Sequence, residues 1–300
     1  MKIKSSKKYT TRFKKMAFGG DPDEEVLAVH SFYDDKGNVT EEIRLDEEDN
    51  IEKHTFTYTD AGKLLRHELM IEADGISETF VYDRDEKGRV IKETKFYVED
   101  EGESTAYEYA AHIQPVRIAK FDSDNEPESV ELIIYNDNEL LIEHRKFDNE
   151  NKLLEITEVS YNDKKLPAEK RVLDKNSVLI STTLFLYDDK DEMIRVVEKN
   201  KEGKIISDII SVYDERGNVT ERKIKDFHSR TLRFDFDERN NCVEETVYDE
   251  HGNMTMKSNY EFDEHNNLVA ESGYFLDMNR GSQMANSQSR YEYEFYMENA

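Results

Sequence analysis

Apolar and polar residues alternate along most of this chain, and short acidic strings interrupt the alternation at nearly regular intervals. Val178, Ile180, Thr182, Leu184 and Leu186 fall on one side of an extended segment, and Leu179, Ser181, Thr183, Phe185 and Tyr187 on the other. Alternation of this kind predicts a β-strand. The interruptions share one order: an aromatic residue or leucine, an acid, Gly or Asn, then an aliphatic that restarts the alternation. Tyr33-Asp34-Asp35-Lys36-Gly37-Asn38-Val39 and Tyr213-Asp214-Glu215-Arg216-Gly217-Asn218-Val219 are full copies. Asp and Asn side chains accept hydrogen bonds from backbone two residues on, and Gly or Asn tolerates the positive φ that closes a short hairpin. Each string therefore reads as a hairpin turn.

The turns recur with a fixed period. Tyr109, Tyr135, Tyr161, Tyr187 and Tyr213 are each 26 residues apart, and Phe147 and Leu173 divide the interval into steps of 12 and 14. Self-similarity at a fixed period marks an array of one small unit. Here the unit is two strands, after which the chain returns to the same edge of the sheet. The expected fold is all-β: a long antiparallel meander of about twenty short strands, curled or single-layer, in which the ladder tyrosines end strands and cover turns. Ile205–Tyr213 is more apolar than its neighbours, and cover on both faces is expected there. Residues 99–134 are irregular, with Ala110-Ala111-His112 in place of turn acids and Asp122–Pro127 reading as a longer turn.

Composition narrows the class. The 300 residues are 36% hydrophobic and 37% charged, poor in core formers but rich in Tyr and Phe, as suits a sheet with a wetted face. The formal charge of −26 is uneven: residues 1–20 hold seven Lys and Arg and no acid, leaving the remainder at −33. That body repels nucleic acid and attracts a basic partner. Within the arm, Tyr9, Phe13 and Met16 are spaced for one stripe of a short helix, which Gly19-Gly20 would end. The expected domains are thus a basic arm over 1–20, flexible or a short helix, and a β-repeat domain over 21–300 with a flexible loop at 277–290. No apolar run is long enough for a membrane helix and no signal peptide is evident, so cytoplasmic residence is the default expectation, with export by another route left open.

The Tyr-Asp-x-x-Gly-Asn-Val strings at Tyr33–Val39 and Tyr213–Val219, with Tyr248-Asp249-Glu250-His251-Gly252-Asn253-Met254, resemble the RHS/YD-repeat family. The resemblance covers residues 33–275 loosely and implies long repeat-built β-sheets, which in that family spiral into shells around toxin cargo. Bacterial MORN-variant repeats, some antitoxin-like, are similar at this level. The chain is short for a shell-forming member, and no catalytic residues carry over.

No chemistry-bearing motif stands out. The acidic turns at Asp83–Gly88 and Asp188–Glu192 could offer oxygens to calcium, but Lys87 and Lys190 interrupt the EF-hand pattern. His251 and His265 sit in successive turns, which a meander places at opposite edges. Cys242, the only cysteine, reads as a half-buried strand residue. No catalytic, cofactor-binding or metal residue is assigned, and no cofactor is expected. The leading expectation is a non-enzymatic protein that binds another protein through its sheet, as scaffold or chaperone-like cradle. An acidic immunity protein neutralising a basic toxin and a carbohydrate- or surface-binding module are the alternatives, and self-association through the apolar face is a further option.

Overall fold

The computed structural model describes residues 2–13, 22–45, 50–71, 75–98, 101–111, 113–277 and 282–297. They form 22 antiparallel strands, β1 to β22 in chain order, with no helix among the described residues. Each strand pairs with the next in sequence. The first, β1 (Ile3–Phe13), also pairs with the last, β22 (Ser282–Phe295), through Lys8↔Tyr291 and Thr10↔Ser289, while its other edge pairs with β2 (Pro22–Tyr33). The sheet is therefore a closed barrel. The expected open meander, curled or single-layered, is overturned by this seam, which leaves the sheet without an unpaired edge.

The strand that closes the barrel is the basic arm. In place of a flexible segment or short helix, residues 3–13 are β-strand, lying between two acid-bearing strands. Lys8 Nζ reaches past β22 to bond Glu271 Oε1 at 2.7 Å on β21 (Leu268–Asp277), and Tyr9 Oη donates to Glu292 Oε2 on β22 at 3.3 Å. Helical spacing of three apolar residues is a weak local preference, and two open sheet edges offered this segment backbone partners on both sides. Met16, Gly19 and Gly20 lie outside the described residues. The expected loop at 277–290 is likewise largely strand, since β22 begins at Ser282; residues 278–281 lie outside the described residues.

The turns follow one geometry, shown by Asp214–Asn218. Asp214 N donates to Asn218 O (2.9 Å), Gly217 N donates back to Asp214 O (3.2 Å), and Asp214 Oδ1 accepts from Arg216 N and Asn218 N (2.8 and 2.9 Å). Gly217 holds φ +85°, so this is a tight turn closed by a bulge residue in the left-handed region. Asn136, Asn162 and Asn200 use their side-chain oxygens in the same way. The segment at Asp122–Glu126 is one of these regular turns, not a longer one, with Asn125 at φ 61°. Among the described residues of this stretch, the irregularity lies in the connection before the short strand Arg117–Phe121 and at Gly102, where an added Cβ would collide with Lys95 O.

The described residues leave the barrel hollow. Its accessible surface is 19459 Å², against about 13,000 Å² for a compact monomer of this mass. The backbone of each strand lies beside only that of its two sheet neighbours, and only Ala119, Leu173 and Val197 are buried hydrophobics among the described residues. Drawn round, 22 strands at ~4.8 Å spacing and ~40° tilt give a backbone diameter of about 44 Å, too wide for side chains to fill. No described residue covers Ile205–Tyr213 on both faces either: Ile206 and Val212 are 43% and 49% exposed. Stability comes instead from continuous backbone pairing and from contacts between side chains on adjacent strands.

Candidate functional site

Cross-strand register divides the wall into two faces. Ile134, Leu154, Ile180, Leu186, Ile206 and Val212 share one face and are exposed. Tyr135, Tyr161, Tyr187 and Tyr213 project from the other, with Ile133, Val159, Phe185 and Ile209, and these are half-buried. The alternation read from residues 178–187 is thus the division the structure shows. A curved sheet crowds side chains on its concave side, so the shielded face is the inner one.

On this face the tyrosines form a ladder of hydrogen bonds. Tyr161 Oη donates to Leu141 O (2.8 Å), Tyr187 to Pro167 O (2.9 Å) and Tyr213 to Met193 O (2.9 Å). In each case the acceptor is the first residue of the preceding strand, so every rung ties two strand ends together just beneath the rim. Tyr58 and Tyr109 do the same to Val39 O and Val90 O, and Tyr135 donates to Pro115 O, two residues before the strand Arg117–Phe121. Arg84 takes the place of a tyrosine, donating from Nε and Nη2 to Leu64 O at 3.1 and 2.8 Å. The strand there runs to Arg84, two residues past the Tyr82 anchor expected from the turn pattern. Burial raises the Tyr161 and Tyr187 phenols above their ordinary value, which keeps them protonated as donors.

Charges on both faces are largely paired across strands. On the inner face Lys95 meets Glu78 (2.8 Å), Lys146 meets Glu155 (3.1 Å) and His144 meets Glu131 (2.9 Å). On the outer face Arg195 grips Asp208 through Nε and Nη2, both at 2.8 Å, and Lys257 meets Glu244 at 2.7 Å. No described helix is long and apolar enough to cross a membrane. Charged side chains occur in mid-strand on both faces of the wall.

Acids outnumber bases in the turns, as at Asp34-Asp35, Asp188-Asp189 and Asp263-Glu264, so most of the net negative charge sits on the rims. The oxygens weighed as calcium ligands serve the turns themselves. Asp85 Oδ1 accepts from Lys87 N and Arg89 N, and Asp188 Oδ1 from Lys190 N and Glu192 N. His251 and His265 stand at opposite ends of the strand Met254–Phe262, each beside its own glutamate, Glu250 or Glu264.

The side-chain amide of Asn218, together with backbone N–H groups, lowers the Asp214 carboxyl to about 2; Asp34, Asp237, Asp249 and Asp263 are lowered by the same partner type. A depressed folded-state value contributes stability above the unfolded value, near 3.8, and that contribution is lost as pH falls toward 2. Asp214→Asn keeps the turn acceptor but not the charge. We expect it to unfold at lower denaturant than the parent at pH 7, with the gap closing between pH 4 and 2. A gap independent of pH in denaturant titrations would remove the assignment.

Two features were not legible as sites. His54 Nδ1 lies 2.9 Å from His67 Nε2, and the rings of Phe56, His67 and Phe80 stack in parallel; burial lowers both histidines. The second is a cavity of about 690 Å³ under the rim, between the strands Val219–Lys225 and Leu268–Asp277. Its wall includes Phe234, Phe236, Phe262 and Leu268, with Arg222 and Glu245 deeper, and Cys242 also lines it. Burial raises the Cys242 thiol, consistent with the half-buried strand residue expected. The sequence signal was present: the ladder position after Tyr213 is occupied by Phe236 and then Phe262.

No family model matches the chain, and no curated protein matches it in sequence. Among solved structures it is similar to a chain of the TcdB2–TccC3–Cdc42 complex, at 9% identity and a TM-score of 0.33, over 86% of this chain and 20% of that one. A chain of the Photorhabdus luminescens Tc holotoxin pore gives 12% identity and 0.36, over 95% of this chain and 18% of that one. A porin-like protein from Bacteroides uniformis gives 11% and 0.34, over 97% and 98% of the two chains. The chain spans about a fifth of the length of the toxin-complex chains it matches. These likenesses concern all-β architecture, and no sequence match attaches the chain to the RHS/YD-repeat family.

Proposed function

We propose that this protein is a non-enzymatic binding protein that holds a polypeptide partner against the inner face of its barrel. The hollow wall carries the reading. A closed sheet whose interior is lined by aromatic rungs and ion pairs, with no second layer among the described residues, leaves a large surface that its own folding does not use. The acidic rims favour a basic partner, because charge at an opening raises the local concentration of an oppositely charged chain and speeds its entry.

The test uses environment-sensitive labels at Ile209→Cys, on the inner face, and Ile210→Cys, on the outer face, each in a Cys242→Ser background. Titration with an unfolded lysine-rich polypeptide should change the signal at 209 and leave 210 nearly silent, and the effect should weaken between 50 and 500 mM salt, estimates set by the fall in Debye length from about 14 to about 4 Å. An equal response at both positions, no response, or indifference to salt would each defeat the reading.

A further inference from the structure

We propose that the cavity beneath the rim binds an apolar amino-acid carboxylate, either free or at the end of a chain. It is independent of the polypeptide-binding reading, because a small molecule alone reports on it. The argument begins with the broken ladder. Phe236 and Phe262 occupy the positions at which Tyr213 and its predecessors donate a phenol to the first carbonyl of the preceding strand. By that pattern the acceptors would be Val219 O and Cys242 O, and phenylalanine supplies them no donor. The rim here lacks two rungs, and the cavity of about 690 Å³ lies directly below. That volume is within the range of about 300–1,000 Å³ typical of small-molecule sites.

Two charges face this space without partners of their own. Arg222 has its Nε buried with no hydrogen-bond partner, and neither Arg222 nor Glu245 forms an ion pair among the described residues. Neighbouring mid-strand charges behave otherwise, Arg195 with Asp208 and Lys257 with Glu244. Register explains why these two do not meet: Arg222 lies opposite Leu232 and Glu245 opposite Phe234, so a strand separates them. A buried guanidinium N–H without an acceptor is costly, and a carboxylate is the group that a guanidinium fork fits best. An ammonium or peptide N–H of the same ligand would face Glu245 or the carbonyls of Val219 and Cys242. The phenyl groups of Phe234, Phe236 and Phe262 would take an apolar or aromatic side chain.

Calorimetric titration of the full chain with phenylalanine, Gly-Gly-Phe and their C-terminal amides tests this. Binding of at least one free carboxylate with a Kd of about 1 mM or tighter is expected, with its amide at least about 10-fold weaker. Arg222→Gln should abolish that preference while Arg222→Lys retains part of it. Phe262→Tyr, which restores a rung, should weaken binding of the free acid without unfolding the barrel. Binding of Gly-Gly-Phe alone identifies a chain terminus, and binding of phenylalanine a free amino acid. Absence of saturable binding, equal binding of acid and amide, or an unchanged preference in a folded Arg222→Gln protein overturns the proposal.

Discussion

A chain lacking residues 1–13 should form an open, self-associating sheet instead of a closed barrel. Removing β1 strips the pairing partners from β2 and β22 together, exposing two edges whose N–H and C=O groups are templates for another copy. The ion pairs of the seam go with it, including Lys8 with Glu271. Light scattering after gel filtration should show concentration-dependent oligomers, and small-angle scattering a longer particle than the parent. A monodisperse particle with the parent's dimensions would show that the seam does not hold the barrel shut. Lys8→Glu is the milder form of the same experiment. It sets a carboxylate against Glu271 in a half-buried position and should cost about 1–3 kcal/mol while leaving the backbone pairing available.

The triple variant Tyr161→Phe, Tyr187→Phe, Tyr213→Phe should lose roughly 2–4 kcal/mol, about 1 kcal/mol for each phenol hydrogen bond. The three rungs lie on successive two-strand units and share no acceptor, so their effects should nearly add. Phenylalanine keeps the ring, which separates the hydroxyl from the packing. The reciprocal change, Phe236→Tyr, should stabilise if the ladder is a general device. Denaturant midpoints for the parent and the two variants decide the matter: a triple variant indistinguishable from the parent would mean that water replaces the phenol at no cost.

Much of this architecture was legible because it is local. The turn at Asp214–Asn218 needs only an Asx acceptor, a residue that can take positive φ and an aliphatic restart, all within seven residues. The failures came where distant segments meet. Tyr9, Phe13 and Met16 suggested a helix stripe because spacing along a chain carries no knowledge of two waiting sheet edges. Ile205–Tyr213 suggested cover on both faces because apolar content does not say whether a second layer exists. Phe236 and Phe262 read as ordinary turn anchors until the ladder of neighbouring phenols showed what they lack.

The sequence by itself determined the strand length, the turn geometry, the two-strand period and the division of each strand into two faces. These follow from backbone dihedrals and side-chain alternation, which depend on near neighbours. The tertiary structure alone decided that the sheet closes, that the basic segment forms its seam and that the described residues leave the interior unfilled. Closure depends on pairing between residues nearly 300 positions apart, such as Ile3 with Phe295. No local pattern encodes that pairing, and only the twist and curvature accumulated over 22 strands bring the two ends together.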